Sequence, residues 1–277
     1  MKILLTGGTG YIGKRLLPLL LQSGHQVICT VRDKNRFNVP LSFVDNIKVI
    51  ETDFADVSSV NSIPSDVDVA YYLIHSMSHE KDYEDMEKDC AKNFRNALEK
   101  TSVDQVIYLG GIINEEILSK HLASRKAVEE ELAKGRYNFT SLRSGIIIGS
   151  GSASFEIIRD LVEKLPIMVA PKWLKTKCQP ISISDVLQFL TGVLKNPITY
   201  NQNFDIGGPK VLSYKQMLLE FAGERKLWRK IFVVPVLTPK LSSYWLYFIT
   251  STSFRLARSL VGSMKVKILC RNNGLTK

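Results

Sequence analysis

At 277 residues the chain can bury a substantial core, as one large α/β domain or as one domain with a small appended lobe. It is 45% hydrophobic and 23% charged, with 17 Gly and 10 Pro, which excludes a disordered chain or a fibrous repeat. The formal charge of +10, from 37 Lys plus Arg against 27 Asp plus Glu, suits a phosphorylated cofactor or an anionic surface, although the positives are scattered.

The chain opens with KILLT (2–6), an apolar run that flows into glycines and not into a cleavage site, so it reads as a buried first strand. GGTGYIG follows, and then the helical pattern KRLLPLLLQSG, for which Gly24 is the expected stop. HQVICTVR (25–32) is a second strand ending in Arg32, and apolar runs recur at 47–56 and 66–76. A helix is expected over 79–101, with Met86, Cys90, Phe94, Ala97 and Leu98 near one face. A strand at 104–111, a helix at 119–134 and a strand at 138–149 continue the alternation. This order predicts an α/β fold over residues 1–150, a Rossmann-type doubly wound parallel sheet.

After Gly149 the rhythm loosens. A helix is expected over 152–165, then a short strand in QPISIS with Asp185 as a helix cap. QNFDIGGP (202–209) reads as strand and turn, 213–224 as a helix capped by Ser213, and 240–262 as one or two further helices. These pieces predict a small C-terminal lobe over 151–277, packed on and partly interleaved with the first domain and closing a substrate cleft over it.

The apolar stretch 231–250 is broken by Pro235, Pro239 and Lys240, which argues against a transmembrane helix and leaves a peripheral membrane contact open. The densest basic run, GERKLWRK (223–230), holds two aromatic-interrupted basic pairs but no nucleic-acid reader motif, so no nucleic acid is expected. Cys29, Cys90, Cys178 and Cys270 are isolated in sequence, which predicts a reducing, cytoplasmic setting and no disulfide framework. No ligand spacing for a metal is present. A homo-oligomer stays open.

TGGTGYIG places Gly7, Gly10 and Gly13 in a GxxGxxG frame between a strand and a helix. Glycines there permit the tight turn, the approach of a pyrophosphate and close helix–strand packing. The helix start offers unpaired N–H groups to phosphate. The cofactor-binding candidates of this loop are Gly7, Thr9, Gly10, Tyr11, Ile12 and Gly13; the bland alternative is a structural glycine turn. A strict NAD site would end its second strand in Asp or Glu. Here Arg32 stands at that end and favours NADP through a 2′-phosphate, Asp33 keeps NAD in competition, and a solvated charged turn is the third reading. Asp53 and Phe54, in TDFAD, follow the third strand where the adenine edge would lie. His75 and Ser76 follow the fourth, near the nicotinamide half.

These motifs, with PISISDV late in the chain, resemble the extended and atypical short-chain dehydrogenase/reductase superfamily. AYYLIHSM, HLASRKAVEEEL, LRSGIIIGSGSASFEIIRDLVEKLPIM, FDIGGP and VPVLTPKLSSYW resemble more closely its NAD(P)-binding, epimerase-like branch. The likeness runs from residue 3 to about 262. Many members of that branch carry an additional C-terminal domain, which is expected to be absent here because the chain stops after CRNNGLTK. The resemblance implies a Rossmann fold, an NAD(P) cofactor and a small-molecule substrate that it does not identify.

The resemblance also implies a Tyr-xxx-Lys pair on the helix after the fifth strand, with a serine or threonine at that strand's end. This chain has YLGGI there, with Gly110 and Gly111, and then His121 and Arg125 at the tyrosine–lysine spacing, followed by Glu129. Arg125 could anchor the nicotinamide ribose but not move a proton, whereas His121 could serve as acid or base. The alternative is a solvated or ion-paired helix face. Tyr72 and Tyr108 read as core. Ser144, Ser150 and the SGS turn (150–152) either approach the cofactor or cap a helix, and Lys172, Trp173 and Gln179 line the cleft by analogy only. The expected function is an NADP-preferring oxidoreductase acting on a small carbonyl or related substrate. A non-catalytic NAD(P) sensor is the alternative, and a nucleotide-sugar epimerase ranks below it.

Overall fold

The computed structural model describes residues 1–38, 41–75, 83–113, 120–234 and 266–271. The helices expected in 240–262 and Ser76 lie outside these residues. β1 (Lys2–Thr6) leads through the glycine loop to α1 (Gly13–Gln22), followed by β2 (Gln26–Val31), β3 (Ile47–Glu51) and β4 (Val69–Tyr72). α2 (Tyr83–Leu98), β5 (Gln105–Gly111), α3 (Lys120–Leu132) and β6 (Asn138–Ser144) continue the alternation. Then come β7 (Ile147–Ile148), α4 (Ala153–Lys164), β8 (Ile167–Pro171), β9 (Lys177–Cys178), β10 (Ile181–Ser182) and α5 (Ile183–Gly192). The last described elements are β11 (Gln202–Ile206), β12 (Leu212–Ser213), α6 (Tyr214–Glu224) and β13 (Lys230–Val234).

Seven strands form one sheet in the order β11-β6-β5-β4-β1-β2-β3. β1 pairs in parallel with β2 and β4, β2 with β3, and β4 with β5. The central strands are buried along nearly their whole length, as a sheet covered on both faces requires. The chain winds outward from β1 to β3 and then returns to β4 on the other side of β1. That reversal makes the carboxyl ends of β1 and β4 the switch point at which such sheets hold ligands. A side-chain clip fixes it: Thr6 Oγ1 donates to Tyr71 O and accepts from Leu73 N, each at 3.0 Å.

α1 ends as its sequence predicts. Gly24 sits at φ +78°, its N–H bonds to Leu21 O, and His25 N–H reaches back to Leu20 O, which together make a Schellman stop. α5 begins at Ile183, so Asp185 falls within its first turn, where a carboxylate complements the helix dipole, and not at the cap.

Contacts divide the chain into two units, each drawing on three stretches. The first comprises Met1–Gly111, Ala123–Arg143 and Ser184–Phe204, and the second Ile112–Leu122, Ser144–Ile183 and Asp205–Lys277. In the first, Leu4, Ile28, Ala70 and Val106 of the sheet pack with Phe94 and Leu98 of α2 and Val128 and Leu132 of α3. In the second, Ile157, Ile158 and Leu161 of α4 pack with Met217 and Leu218 of α6, around Trp173 and Tyr214. A cavity of about 20 Å³ remains there, beside the unpartnered Trp173 indole N–H. That is room for one water and not for a substrate.

Candidate functional site

The glycine loop is built by close approach. Gly7 lies at φ +68°, and a Cβ there would meet Leu73 O at 2.7 Å. A Cβ on Gly13 would meet Gly7 O at 2.3 Å, so the start of α1 presses directly on the turn. Gly10 N–H closes the turn on Gly7 O at 2.8 Å. Ile12 occupies the N-cap and supplies no side-chain acceptor, and the first turn carries no acid. Instead it carries Lys14, which is exposed, and Arg15, whose guanidinium lies 3.9 Å over the Tyr11 ring and donates to Tyr11 O at 3.1 Å. The Tyr11 hydroxyl is buried with no hydrogen-bond partner among the described residues. An uncapped helix start with cations and an orphaned hydroxyl fits a dinucleotide pyrophosphate, so the residues present suit the group.

At the end of β2, Arg32 is exposed. Its neighbour Asp33 is turned into its own loop: it accepts from Asn35 N at 2.9 Å and pairs with Arg36 at 3.4 Å. Past β3, Asp53 is exposed and its Oδ1 accepts from Ala55 N at 3.0 Å. Phe54 is buried, with its ring 5.5 Å from that of Phe94, and its carbonyl accepts from Asn93 Nδ2 at 2.9 Å, so its backbone N–H is what is left for a ligand. Burial pushes the Cys90 thiol on α2 up to about 11, with Asp53 and Glu87 adding to the rise and Arg32 opposing it. The ends of β2 and β3 therefore act on one stretch of α2.

A polar cluster lies under the ends of β4 and β5. His75 Nδ1 is 3.0 Å from Glu87 Oε1 of α2, and Ser124 Oγ of α3 donates to Glu87 Oε2. Burial would raise the Glu87 carboxyl, but His75, Ser124 and the charge of Arg125 hold it below its usual value. Burial, and then Arg125, lower His75 against the opposing pull of Glu87. The pair is thus neutral imidazole beside carboxylate, and an ionised carboxylate only accepts, so the His75 proton sits on Nδ1.

Arg125 follows Ser124 and is half-buried. Its carbonyl accepts from the Tyr108 hydroxyl at 3.2 Å, its Nη1 lies 3.5 Å from Leu109 O, and its Nε is buried without a partner among the described residues. His121 lies in the first turn of α3, and its side chain is outside the described residues. Glu129 is buried and clasped by Arg143 of β6 at 2.5 to 3.2 Å, so that part of the expected helix face belongs to the core.

No tyrosine of the cluster replaces the superfamily's reactive one. Tyr72 and Tyr108 are buried, and burial pushes Tyr108 up to about 12 and Tyr72 far above its ordinary value. Gly110 cannot simply regain a hydroxyl either, since a Cβ there would meet the Tyr108 ring at 2.8 Å. Burial also raises all four thiols, to about 11 or 12, so none is a ready nucleophile.

Of the remaining candidates, Ser150 and Lys172 are exposed, and the others are structural. Ser152 caps α4, accepting from Phe155 N at 3.2 Å, and the helix starts at Ala153. Ser144 is buried at the end of β6, and Trp173 is buried in the second unit's core. Gln179 spans Gly208 O and Cys270 N. Four residues of the site were not anticipated: Lys14, Arg15, Glu87 and Ser124. Two of them carried a readable signal. Glu87 stands in line with Ala91, Phe94 and Leu98, and Ser124 with Val128 and Leu132, so each is a polar residue on an apolar helix stripe.

A doubly wound sheet with a glycine loop and an uncapped, basic helix start at its switch point defines a dinucleotide-binding α/β protein. The chain matches the model of the NAD(P)H-binding family over residues 7–197 and belongs to that family. It is 24% identical over 224 residues to divinyl chlorophyllide a 8-vinyl-reductase of Cucumis sativus, covering 75% of this chain and 52% of that protein. The chain spans about half the length of the vinyl reductases it matches. In structure it resembles a nucleoside-diphosphate-sugar epimerase from Staphylococcus aureus, with TM-score 0.76 and 16% identity over 96% of this chain and 90% of the other. Triphenylmethane reductase of Citrobacter sp., complexed with NADP(H), is similar to the same degree, with TM-score 0.76, 15% identity and the same coverage. The likeness to the short-chain dehydrogenase/reductase superfamily, and the Rossmann-type fold, are thereby borne out. Among the described residues no group of His, Cys, Asp or Glu could hold a metal ion, and no helix is long and apolar enough to cross a membrane.

Proposed function

We propose that the chain is an NADPH-dependent reductase of a small carbonyl or conjugated alkene. The observation that carries the cofactor choice is at the end of β2, where Arg32 is exposed while Asp33 is engaged with Asn35 and Arg36. An exposed guanidinium beside an occupied carboxylate favours a 2′-phosphate over bare ribose hydroxyls. In this reading Gly7, Thr9, Gly10, Tyr11, Ile12 and Gly13 hold the pyrophosphate, with Lys14 and Arg15 adding charge. Asp53 and the Phe54 backbone border the adenine, and His75 borders the nicotinamide end. The bound cofactor would supply the hydride.

The chain's own residues do the rest. Arg125 anchors the nicotinamide ribose, taking the lysine's place without its proton traffic. In this reading His121, which the sequence spacing sets at the tyrosine's position, exchanges the proton with substrate oxygen or carbon. Support for the reductase comes from the vinyl reductase and the NADP(H)-bound triphenylmethane reductase among the proteins this chain resembles.

The test is NADPH oxidation by the purified protein with a panel of quinones, enones and triphenylmethane dyes. Turnover that falls in His121→Ala supports the assignment, and turnover unaffected by that change removes His121 from it. Tight NADPH binding with no turnover on any acceptor class would favour a non-catalytic sensor, which the missing hydroxyl at Gly110 and Gly111 would then explain.

A further inference from the structure

The basic run at 223–230 includes none of the residues assigned above to the cofactor, and the structure gives it apolar company. β8 and β13 form a two-stranded parallel sheet with Ile167 opposite Lys230 and Val169 opposite Phe232. Met168, Ala170 and Ile231 turn inward to the second unit's core, whereas Ile167, Val169 and Phe232 are 55%, 52% and 47% exposed. Trp228, two residues before the strand, is 69% exposed. Single exposed apolar residues need no explanation. Here four of the ten large exposed ones among the described residues fall in these two segments, and register puts three on one face.

Cations accompany them. Lys226 and Lys230 are exposed, and Lys230 Nζ stands 5.2 Å from the Phe232 ring centroid. Arg229 donates to the carbonyls of Val162, Glu163 and Trp228, so no carboxylate neutralises it in these contacts. Arg225 is paired with Glu163 at 3.2 Å, and Glu224 is the other acid nearby. Four cations therefore face two acids.

We propose that this face docks the protein on an anionic lipid surface. An exposed Trp and Phe with flanking Lys and Arg is the chemistry of the headgroup region, where rings sit at the boundary and cations meet lipid phosphate and carboxylate. A second copy of the chain is a poorer occupant, since a two-fold contact would bring like charges together. The contact is peripheral, made by side chains on a strand pair and on the turn that leads into β13.

The experiment is co-sedimentation of the full chain with vesicles of phosphatidylcholine alone and of phosphatidylcholine with phosphatidylserine. Binding is expected only to the anionic vesicles, weakening as salt shortens the screening length to about 10 Å or less. Trp228→Ala with Phe232→Ser, and separately Lys226→Glu with Lys230→Glu, should each lower partition at least about tenfold. Val211→Ser, at an exposed position elsewhere in the second unit, should leave it unchanged. Trp228→Ala alone, followed by circular dichroism, guards against misfolding and should still weaken binding several-fold. Failure of the wild type to pellet, or equal pelleting with neutral vesicles, overturns the proposal. So does a concentration-dependent dimer in light scattering that the same variants disperse, which would assign the face to a second copy.

Discussion

His75 and Glu87 meet beneath the sheet's carboxyl edge, with Nδ1 of one 3.0 Å from Oε1 of the other. The two pKa shifts have the same consequence for stability. His75 is lowered from its usual 6.5, so the fold disfavours its protonation and the unfolded chain binds more protons once pH falls below that value. Stability is therefore lost with falling pH, at no more than about 1.4 kcal/mol per pH unit for one group. Glu87 is lowered from 4.5, so its contribution is present above that value and goes only at more acid pH. Melting curves between about pH 7 and about pH 5 should show a decline in the wild type that His75→Gln reduces. His25 shifts in the same direction in both proteins and cancels in the comparison. An unchanged decline would remove His75 as its source.

Glu87 also accepts from Ser124, so its loss takes an acceptor from two donors at once. Glu87→Ala is expected to cost about 2–4 kcal/mol in urea unfolding, and Ser124→Ala about 1 kcal/mol. Equal costs would mean that the carboxylate is not the hub of the cluster.

The glycines of the loop separate by what a methyl would strike. Gly13→Ala drives a Cβ to within 2.3 Å of Gly7 O, which is backbone and cannot step aside, whereas Gly8→Ala meets the Phe37 ring at an ordinary 3.4 Å. Calorimetry should find cofactor affinity lowered at least about tenfold in Gly13→Ala, with about 1–3 kcal/mol of stability lost. Gly8→Ala should bind nearly as the wild type does.

The first α/β unit was readable because its signals are local. Apolar runs of strand length, glycine at Gly7 and Gly13, and the Gly24 stop each act within a few residues, and the structure keeps all of them. The polar core was not readable. Glu129 reads as part of a solvated or ion-paired helix face, but nothing local names its partner Arg143, nor that of Glu131, which is Arg95, 36 residues earlier in the chain. Such partners leave no periodic trace, because the sheet that brings them together is assembled from distant segments. Asp185 shows the smaller error: a cap signal was present, but the helix starts two residues before it.

In the proposed function, cofactor choice rests on two adjacent side chains with different duties. If Arg32 binds the 2′-phosphate, Arg32→Ala removes a charge-assisted contact worth about 1.5–3 kcal/mol and lowers NADPH affinity about ten- to hundredfold. NADH affinity should hardly change. Asp33→Asn should leave NADPH affinity within about twofold, because its loop bonds can be made by an amide as well. Equal losses of both cofactors in Arg32→Ala would mean that the residue is a general positive charge and not a selector.

Arg125 offers a test that separates anchoring from scaffolding. Its carbonyl, which receives the Tyr108 hydroxyl, survives any substitution, whereas its guanidinium acts on the His75 proton. Arg125→Ala should lower NADPH affinity by about tenfold, and Arg125→Lys should restore most of it, because a ribose hydroxyl needs a donor and not a planar fork. Removing the charge should also let the His75 pKa rise toward its usual value, which an NMR titration of the imidazole would report, and Arg125→Lys should keep it low. A variant that shifts His75 yet binds NADPH normally would leave Arg125 as an electrostatic neighbour of the cluster and take the ribose away from it.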